Sequence, residues 1–337
     1  SEGHAPGAVF SAEITVALGS VKSGCLQDQA LPHVGRLRGV PIDFGTPAPK
    51  SNADFLLPSE AARWIRPRAA HLHKHSAGIV HLWAGSTTYP GAAVLASEGA
   101  LRSGAGYVRL FTERPVTAPI PTRLPELLLT PHAEGTAPDL TAFQTQAQAL
   151  VIGPGLPSSA ALEDFLRRLL STAKVPVVLD AGALDLVANH PEWLETTQAP
   201  VILTPHAGEL SRLVGQKVED RSEAARVWLD RHPHTLLVAK GPHTLVASSD
   251  HAFSHNSTGG PAQATAGMGD LLAGLTGGLL ATGYSPFDAA RLAVLWHGLA
   301  TDLAEQAGGP VVLASGVANH LPAAWRTLTG KAVSGLQ

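Results

Sequence analysis

The sequence holds a single cysteine, Cys25, and so cannot close an internal disulfide. It has no run of about 18 apolar residues and no secretory-signal pattern, which leaves no membrane span or export route legible and makes the cytoplasm the expected compartment. Charge is sparse as well. Charged residues make up 15% of the 337, with a formal net charge of −3, so there is no basic footprint for nucleic acid or an anionic membrane surface. Glycine (34) and proline (26) are abundant by contrast, and 45% of residues are hydrophobic: a large core interrupted by many short turns.

Strand and helix signals alternate along most of the chain. IVHLWAG (79–85) reads as a buried strand, AAVLASEGALRSG (92–104) as a helix stopped by glycine, and YVRLF (107–111) as the next strand. ALVIGPG (149–155), VPVVLDAGA with Asp180, VILTPHAGEL with His206 and TLLVAKG (235–241) continue the series, with SSAALEDFLRRLLSTA as a helix among them. HTLVAS and HAFSH look antiparallel. Two helices follow later, SPFDAARLAVLWHGLATDLAEQAG, opened by Ser285 and Pro286, and ASGVANHLPAAWRTL. This alternation predicts an α/β fold with a mostly parallel central sheet covered on both faces, and ligands at the carboxyl ends of its strands. Gly85, Gly153, Gly155, Asp180, Thr204, His206, Lys240 and Gly241 all fall at such ends. Residues 1–46 read differently, as two short strands in AVFSAEITVALGS and RLRGVPIDFG that cannot bury a core alone. Residues 47–58 are expected as a linker, 59–328 as the main domain, with Ser59 capping a short helix, and 329–337 as a loose tail.

One stretch organises the rest. In HNSTGGPAQATAGMGDLLAGLTGGLL (255–280), glycines at 259, 260, 267 and 269 let backbone NH groups turn to a common point, and leucines at helical spacing follow. The free NH groups of the first turn and the positive end of the helix dipole should therefore sit at Ala266 to Asp270, a place for an anion. Asp270 could simply cap that dipole. Beside a nest of donors, however, a carboxylate suits phosphoryl transfer, taking a proton from an attacking hydroxyl while the donors neutralise the moving group. The stretch is neither a GxxxxGK[ST] loop nor a dinucleotide fingerprint.

The motifs AGSTTYPGAAVLA, ALRSGAGYVRL, VIGPGL, VVLDAGAL, ILTPHAGEL, VAKGPHTLV, NSTGGPAQATAGMGDLLAG and AVLWHGLATD, in that order, give the chain its resemblance to the ADP-dependent NAD(P)H-hydrate dehydratase family of the ribokinase-like superfamily, over roughly residues 60–328. The resemblance implies a three-layer αβα sandwich and a metabolite-repair lyase that phosphorylates the added ring hydroxyl of hydrated NADH or NADPH from ADP, loss of phosphate restoring the double bond. It implies Asp270 as base, with Gly267 and Gly269 in the anion hole; Ala92, Gly155, His206 and Asp270 against the hydrated cofactor; and Lys240, Gly241, Pro242, His243, Thr244 and Gly269 against the adenine nucleotide. It also implies magnesium on the nucleotide phosphates, with no dedicated protein metal cage, and a homo-oligomer. Residues 1–46 resemble the closing stretch of the companion NAD(P)HX epimerase domain, without its catalytic body, so epimerase activity is not expected.

Three departures from the family pattern stand out. GGTGD reads AGMGD, placing Ala266 where positive φ would be costly and Met268 where a hydroxyl is usual. The preceding NPG-like segment has Gly260 and Ala262, and the Lys-Gly loop reads HKHSAG with Lys74 before His75. Other residues carry plainer readings. Asp180 either caps the following helix or stands behind the ligand contacts; His206 alone could be a backbone-bonded histidine; Lys240 reads as a lone cation aimed at phosphate. His71, His73 and His75 read as a solvated loop, and Trp296 and His297 as packing. Two other functions remain open: a superfamily kinase for a small alcohol such as hydroxymethylpyrimidine or a sugar, releasing a stable phosphate ester, and a nucleotide-binding protein impaired in catalysis by AGMGD.

Overall fold

The computed structural model describes residue 7, residues 9–40, residue 42 and residues 53–330; the TPAPKSN stretch and the tail from 331 lie outside the described residues. The chain begins with a small unit, β1 (Ile14–Leu18), α1 (Leu31–Val34) and β2 (Arg36–Val40), whose two strands pair in parallel. β3 (Ala53–Leu56) and α2 (Pro58–Ala61) lead into β4 (Ile79–Trp83), α3 (Pro90–Arg102), β5 (Tyr107–Glu113), α4 (Ile120–Arg123) and β6 (Leu128–His132). Then come α5 (Leu140–Gln144), β7 (Ala149–Ile152), α6 (Ala160–Thr172), β8 (Val177–Leu179), α7 (Gly182–Asn189), β9 (Val201–Leu203) and α8 (Ala207–Val214). The last part holds α9 (Arg221–Arg231), β10 (Thr235–Ala239), β11 (Leu245–Ser248), β12 (Phe253–Asn256), α10 (Met268–Ala281), α11 (Pro286–Gly308) and α12 (Ala314–Thr329).

Ten strands make one sheet in the order β3-β12-β11-β10-β9-β8-β7-β4-β5-β6. β10–β11 and β11–β12 are antiparallel, as HTLVAS and HAFSH suggested, and the other pairs are parallel. Successive side chains of a strand point to opposite faces, and both faces are dry. Leu150, Ile152, Val177, Leu179, Val201 and Leu203 enter the core under α6 to α9, whereas Val151, Val178 and Ile202 enter the core under α3, α10, α11 and α12. This is the three-layer αβα sandwich expected. α10 is apolar all round because it is buried between the sheet and other helices. Its approach to α3 is a backbone contact: a Cβ on Gly274 would lie 1.8 Å from the Ala96 carbonyl oxygen.

Two readings of local structure change. Residues 53–56, placed in the linker, form the sheet's edge strand β3, in parallel register with β12. The short helix after it starts behind Leu57, with no cap from Ser59. Strand β6 went unread because Pro131 interrupts LLTPH; the outermost position tolerates a residue that cannot donate to a ladder.

Candidate active site

Strand order reverses between β4 and β7: the chain runs outward from β4 to β6, returns at β7, and proceeds the other way to β10. At such a switch point the loops above adjacent strands diverge and leave a crevice. Ala92, at the start of α3, and Gly155, after β7, meet there; Gly155 takes φ 65°, and a Cβ on it would come within 2.5 Å of Ala92 Cβ. Ser86 Oγ donates to the Gly155 carbonyl at 2.9 Å, and Gly85 N to the Pro154 carbonyl at 2.8 Å, tying the two loops.

Along the same edge, β8, β9 and β10 deliver a charged cluster. Lys240 Nζ donates to Asp180 Oδ1 at 2.8 Å and lies 3.7 Å from Glu209 Oε2. Thr204 Oγ1 donates to the same Asp180 oxygen at 2.7 Å. Lys240 is therefore not a lone cation. Burial alone would lower its ammonium; Asp180 and Glu209 reverse this and hold it above its ordinary value. Asp180 caps nothing: the residue before α7 is Ala181, with φ 45° and no side-chain cap. Glu209 also accepts from His206 N at 2.7 Å, closing a capping box in which His206 Nδ1 accepts from Gly208 N and Glu209 N. That fixes Nδ1 as the acceptor, so Nε2 carries the proton; it faces Glu209 Oε1 at 3.5 Å, with the ring about half exposed (56%). The backbone-bonded reading of His206 thus holds for one ring nitrogen and leaves the other at the surface.

The glycine-rich turn brings α10 to this cluster. Gly267 takes φ 90° and ψ −11°, so the positive φ falls on glycine and Ala266 carries none of the strain expected of it. The first helical bond runs from Leu271 N to the Gly267 carbonyl at 3.1 Å, leaving the amides of Met268, Gly269 and Asp270 without a helical acceptor. A Cβ on Gly269 would stand 3.2 Å from Lys240 Nζ and 3.8 Å from Asp180 Oδ2, so the amide nest and the charged cluster share one space. Burial pushes the Asp270 carboxyl up to about 7; Asp180 adds to the rise and Lys240 opposes it.

Beside this point opens a cleft of about 820 Å³, lined by Lys240, Gly241, Pro242, His243, Thr244 and Gly269, all six residues expected against a nucleotide. Met268, Leu272 and Val294 give it an apolar floor, so the methionine that replaces a hydroxyl supplies surface to the cleft. His243 holds φ 49° and donates from Nδ1 to the Asn256 carbonyl at 3.1 Å. Ala92, Gly155, His206, Gly267 and Asp270 do not line this cleft, so two neighbourhoods flank the α10 amino end. His297, read as packing, also borders the cleft; its Nδ1 accepts from Gln263 Nε2 at 2.9 Å, and burial lowers the ring to about 4. Glu209 was missed by sequence reasoning, although its spacing from His206 is that of a capping box. Among the described residues no three His, Cys, Asp or Glu side chains gather as a metal cage, the His71, His73 and His75 loop included.

A family model described as NAD(P)H-hydrate dehydratase matches residues 80–323. The bifunctional NAD(P)H-hydrate repair enzyme Nnr of Salinibacter ruber is 38% identical over 251 residues, 71% of this chain and 46% of that protein, so the chain spans about half the length of such curated relatives. The ADP-dependent (S)-NAD(P)H-hydrate dehydratase of Bacillus subtilis is 35% identical over 280 residues, covering 82% of this chain and 99% of that enzyme. The crystal structure of the ADP/ATP-dependent NAD(P)H-hydrate dehydratase from the same organism, co-crystallized with ATP/Mg2+, superposes with a TM-score of 0.71 at 32% identity, over 81% of this chain and 98% of that one. The fold is thus shared along most of the main body, and the chain belongs to the NAD(P)H-hydrate dehydratase family.

Proposed function

We propose that the chain dehydrates (S)-NAD(P)H hydrate at the expense of ADP. The observation that supports this most is the meeting of Lys240, Asp180 and the Gly269 amide beside an Asp270 carboxyl held near 7. In this reading the hydrated nicotinamide lies in the crevice marked by Ala92, Gly155 and His206, and its ring hydroxyl points at Asp270. Asp270 takes the hydroxyl proton as the oxygen attacks the terminal phosphorus of ADP, and AMP departs. The amides of Gly267 to Gly269 and the Lys240 ammonium hold the phosphoryl group in transit. Elimination of phosphate, with a proton leaving the neighbouring ring carbon, then restores the double bond. Gly241 to Thr244 form the nucleotide's wall.

Magnesium fits this donor set as an ion carried on phosphate and water. Asp180 Oδ2, which faces Gly269, would offer its shell a carboxylate oxygen, and the ion would supply positive charge to the phosphates. In the same reading residues 1–46 derive from an epimerase domain and the dehydratase body starts at β3, earlier than the sequence suggested. The test is a product assay with hydrated NADH, ADP and magnesium. Return of the dihydronicotinamide absorbance with stoichiometric phosphate and AMP is the expected result; a stable phosphate ester would make the chain a small-alcohol kinase, and ADP binding without turnover an impaired relative.

A further inference from the structure

The nucleotide cleft has a second wall, and it comes from the N-terminal unit. Glu13, Gly35, Arg36, Leu37 and Arg38 line it together with the residues of the main body. The unit's own core is small, Leu26, Ala30, Val34 and Leu37, and two ion pairs fasten it. Asp28 accepts from Arg221 Nε at 2.9 Å, from Nη2 at 2.6 Å and from the Arg221 backbone N at 3.0 Å. The same buried guanidinium donates to the carbonyls of Ala239 and Pro242, which bracket Lys240 and Gly241. A Cβ on Gly241 would come within 2.7 Å of Arg221 Nη1, so the turn that lines the cleft is shaped around the group that grips Asp28. Farther along, Arg36 pairs with Glu305 of α11 and lies 3.2 Å from the Cβ position of Gly260. Arg38 is exposed and makes no ion pair among the described residues.

Charge gives this wall a purpose. On the main-body side Lys240 is shared between Asp180 and Glu209, and an ionised Asp270 adds a third carboxylate. The charged side chains lining the cleft itself are Lys240, Glu13, Glu305, Arg36 and Arg38, so beyond the α10 amides a nucleotide polyphosphate arriving there finds its cations on Lys240 and on this wall. Among the described residues, Arg38 is the cation of the cleft lining that makes no ion pair. Arg36, its planar group fixed by Glu305, offers a donor fork or a stacking face.

We propose that the N-terminal unit is a working wall of the nucleotide site: Arg38 and Arg36 contact the bound adenine nucleotide, and the Asp28–Arg221 clamp holds them against the Lys240–Thr244 turn. This rests on the cleft being the nucleotide site. The test is ADP titration by calorimetry on the full chain, with Arg38→Ala, Arg36→Ala, Asp28→Ala and Gly269→Val. Arg38 is exposed, so its removal leaves the fold intact. Its loss should weaken ADP by roughly tenfold or more, with Arg38→Lys recovering part of the affinity, a flatter salt dependence, and KM for ADP rising while kcat stays. Asp28→Ala should shift affinity in the same direction. Unchanged ADP affinity in Arg38→Ala and Arg36→Ala, with affinity lost in Gly269→Val, overturns the wall and keeps the cleft. Unchanged affinity in Gly269→Val overturns the nucleotide reading itself.

Discussion

The ten-stranded body and the N-terminal unit are both built on parallel strands, yet different forces hold them. In the body, β7, β8 and β9 are buried on both faces, the usual condition for parallel strands. β1 instead leaves Ile14, Val16 and Leu18 52%, 53% and 56% exposed. The body is held by its own two cores, whereas the unit has a core of four buried residues, with Phe55 of β3 packed against it, and is pinned by Asp28 on Arg221 and Arg36 on Glu305. Contacts of that kind set the unit against the cleft without merging it into either main core.

Asp270 adds to the body's contrast with the unit, since it keeps a half-buried carboxylate beside Asp180 and Lys240. Asp270→Asn is expected to lower kcat by about 10²–10⁴-fold with ADP binding retained, read by turnover and calorimetry. The folded carboxyl titrates above its unfolded value, so its ionised form opposes folding. The penalty is full above pH about 7 and is relieved as pH falls through that value. The variant should therefore gain roughly 1–2 kcal/mol in alkaline solution, after discount for partial solvation, and lose the gain in acid. In the unmodified chain kcat/KM should fall about tenfold per pH unit below about 7, because the base must be ionised. A flat profile there would remove Asp270 from the chemistry.

Smaller effects sharpen the contrast. Ile202, fully buried in β9, should cost about 2–5 kcal/mol as Ile202→Ala in urea unfolding. Asp28→Ala should cost about 2 kcal/mol or less, and limited proteolysis should cut within residues 13–40 while the body stays intact. If the body unfolded together with the unit, the two regions would be one cooperative structure. Val16→Thr, on the exposed face of β1, should change stability by no more than about 0.5 kcal/mol.

Much of the site was legible because glycine and leucine spacing mark a turn and a helix wherever they occur. The NH nest and Asp270 were found that way, whereas the Lys240–Thr244 turn as a nucleotide contact came from the family resemblance; the structure brings Lys240 to Gly269 across the sheet edge. Edges were harder to read: β3 is four residues long and β6 contains Pro131, so neither shows a periodic signal. Glu209 looked like any helix-start carboxylate, and nothing in the sequence joins Asp28 to Arg221, 193 residues apart.

The sequence by itself determined the αβα layering and the glycine-rich turn with its free amides, since both follow from short-range periodicity, the conformational freedom of glycine and the open first turn of a helix. The tertiary structure alone decided that Lys240 is shared by two carboxylates, that burial lifts Asp270 towards neutrality, and that the unit of β1, α1 and β2 borders the cleft. Burial and charge pairing depend on which distant segments share a space, and only the folded chain fixes that.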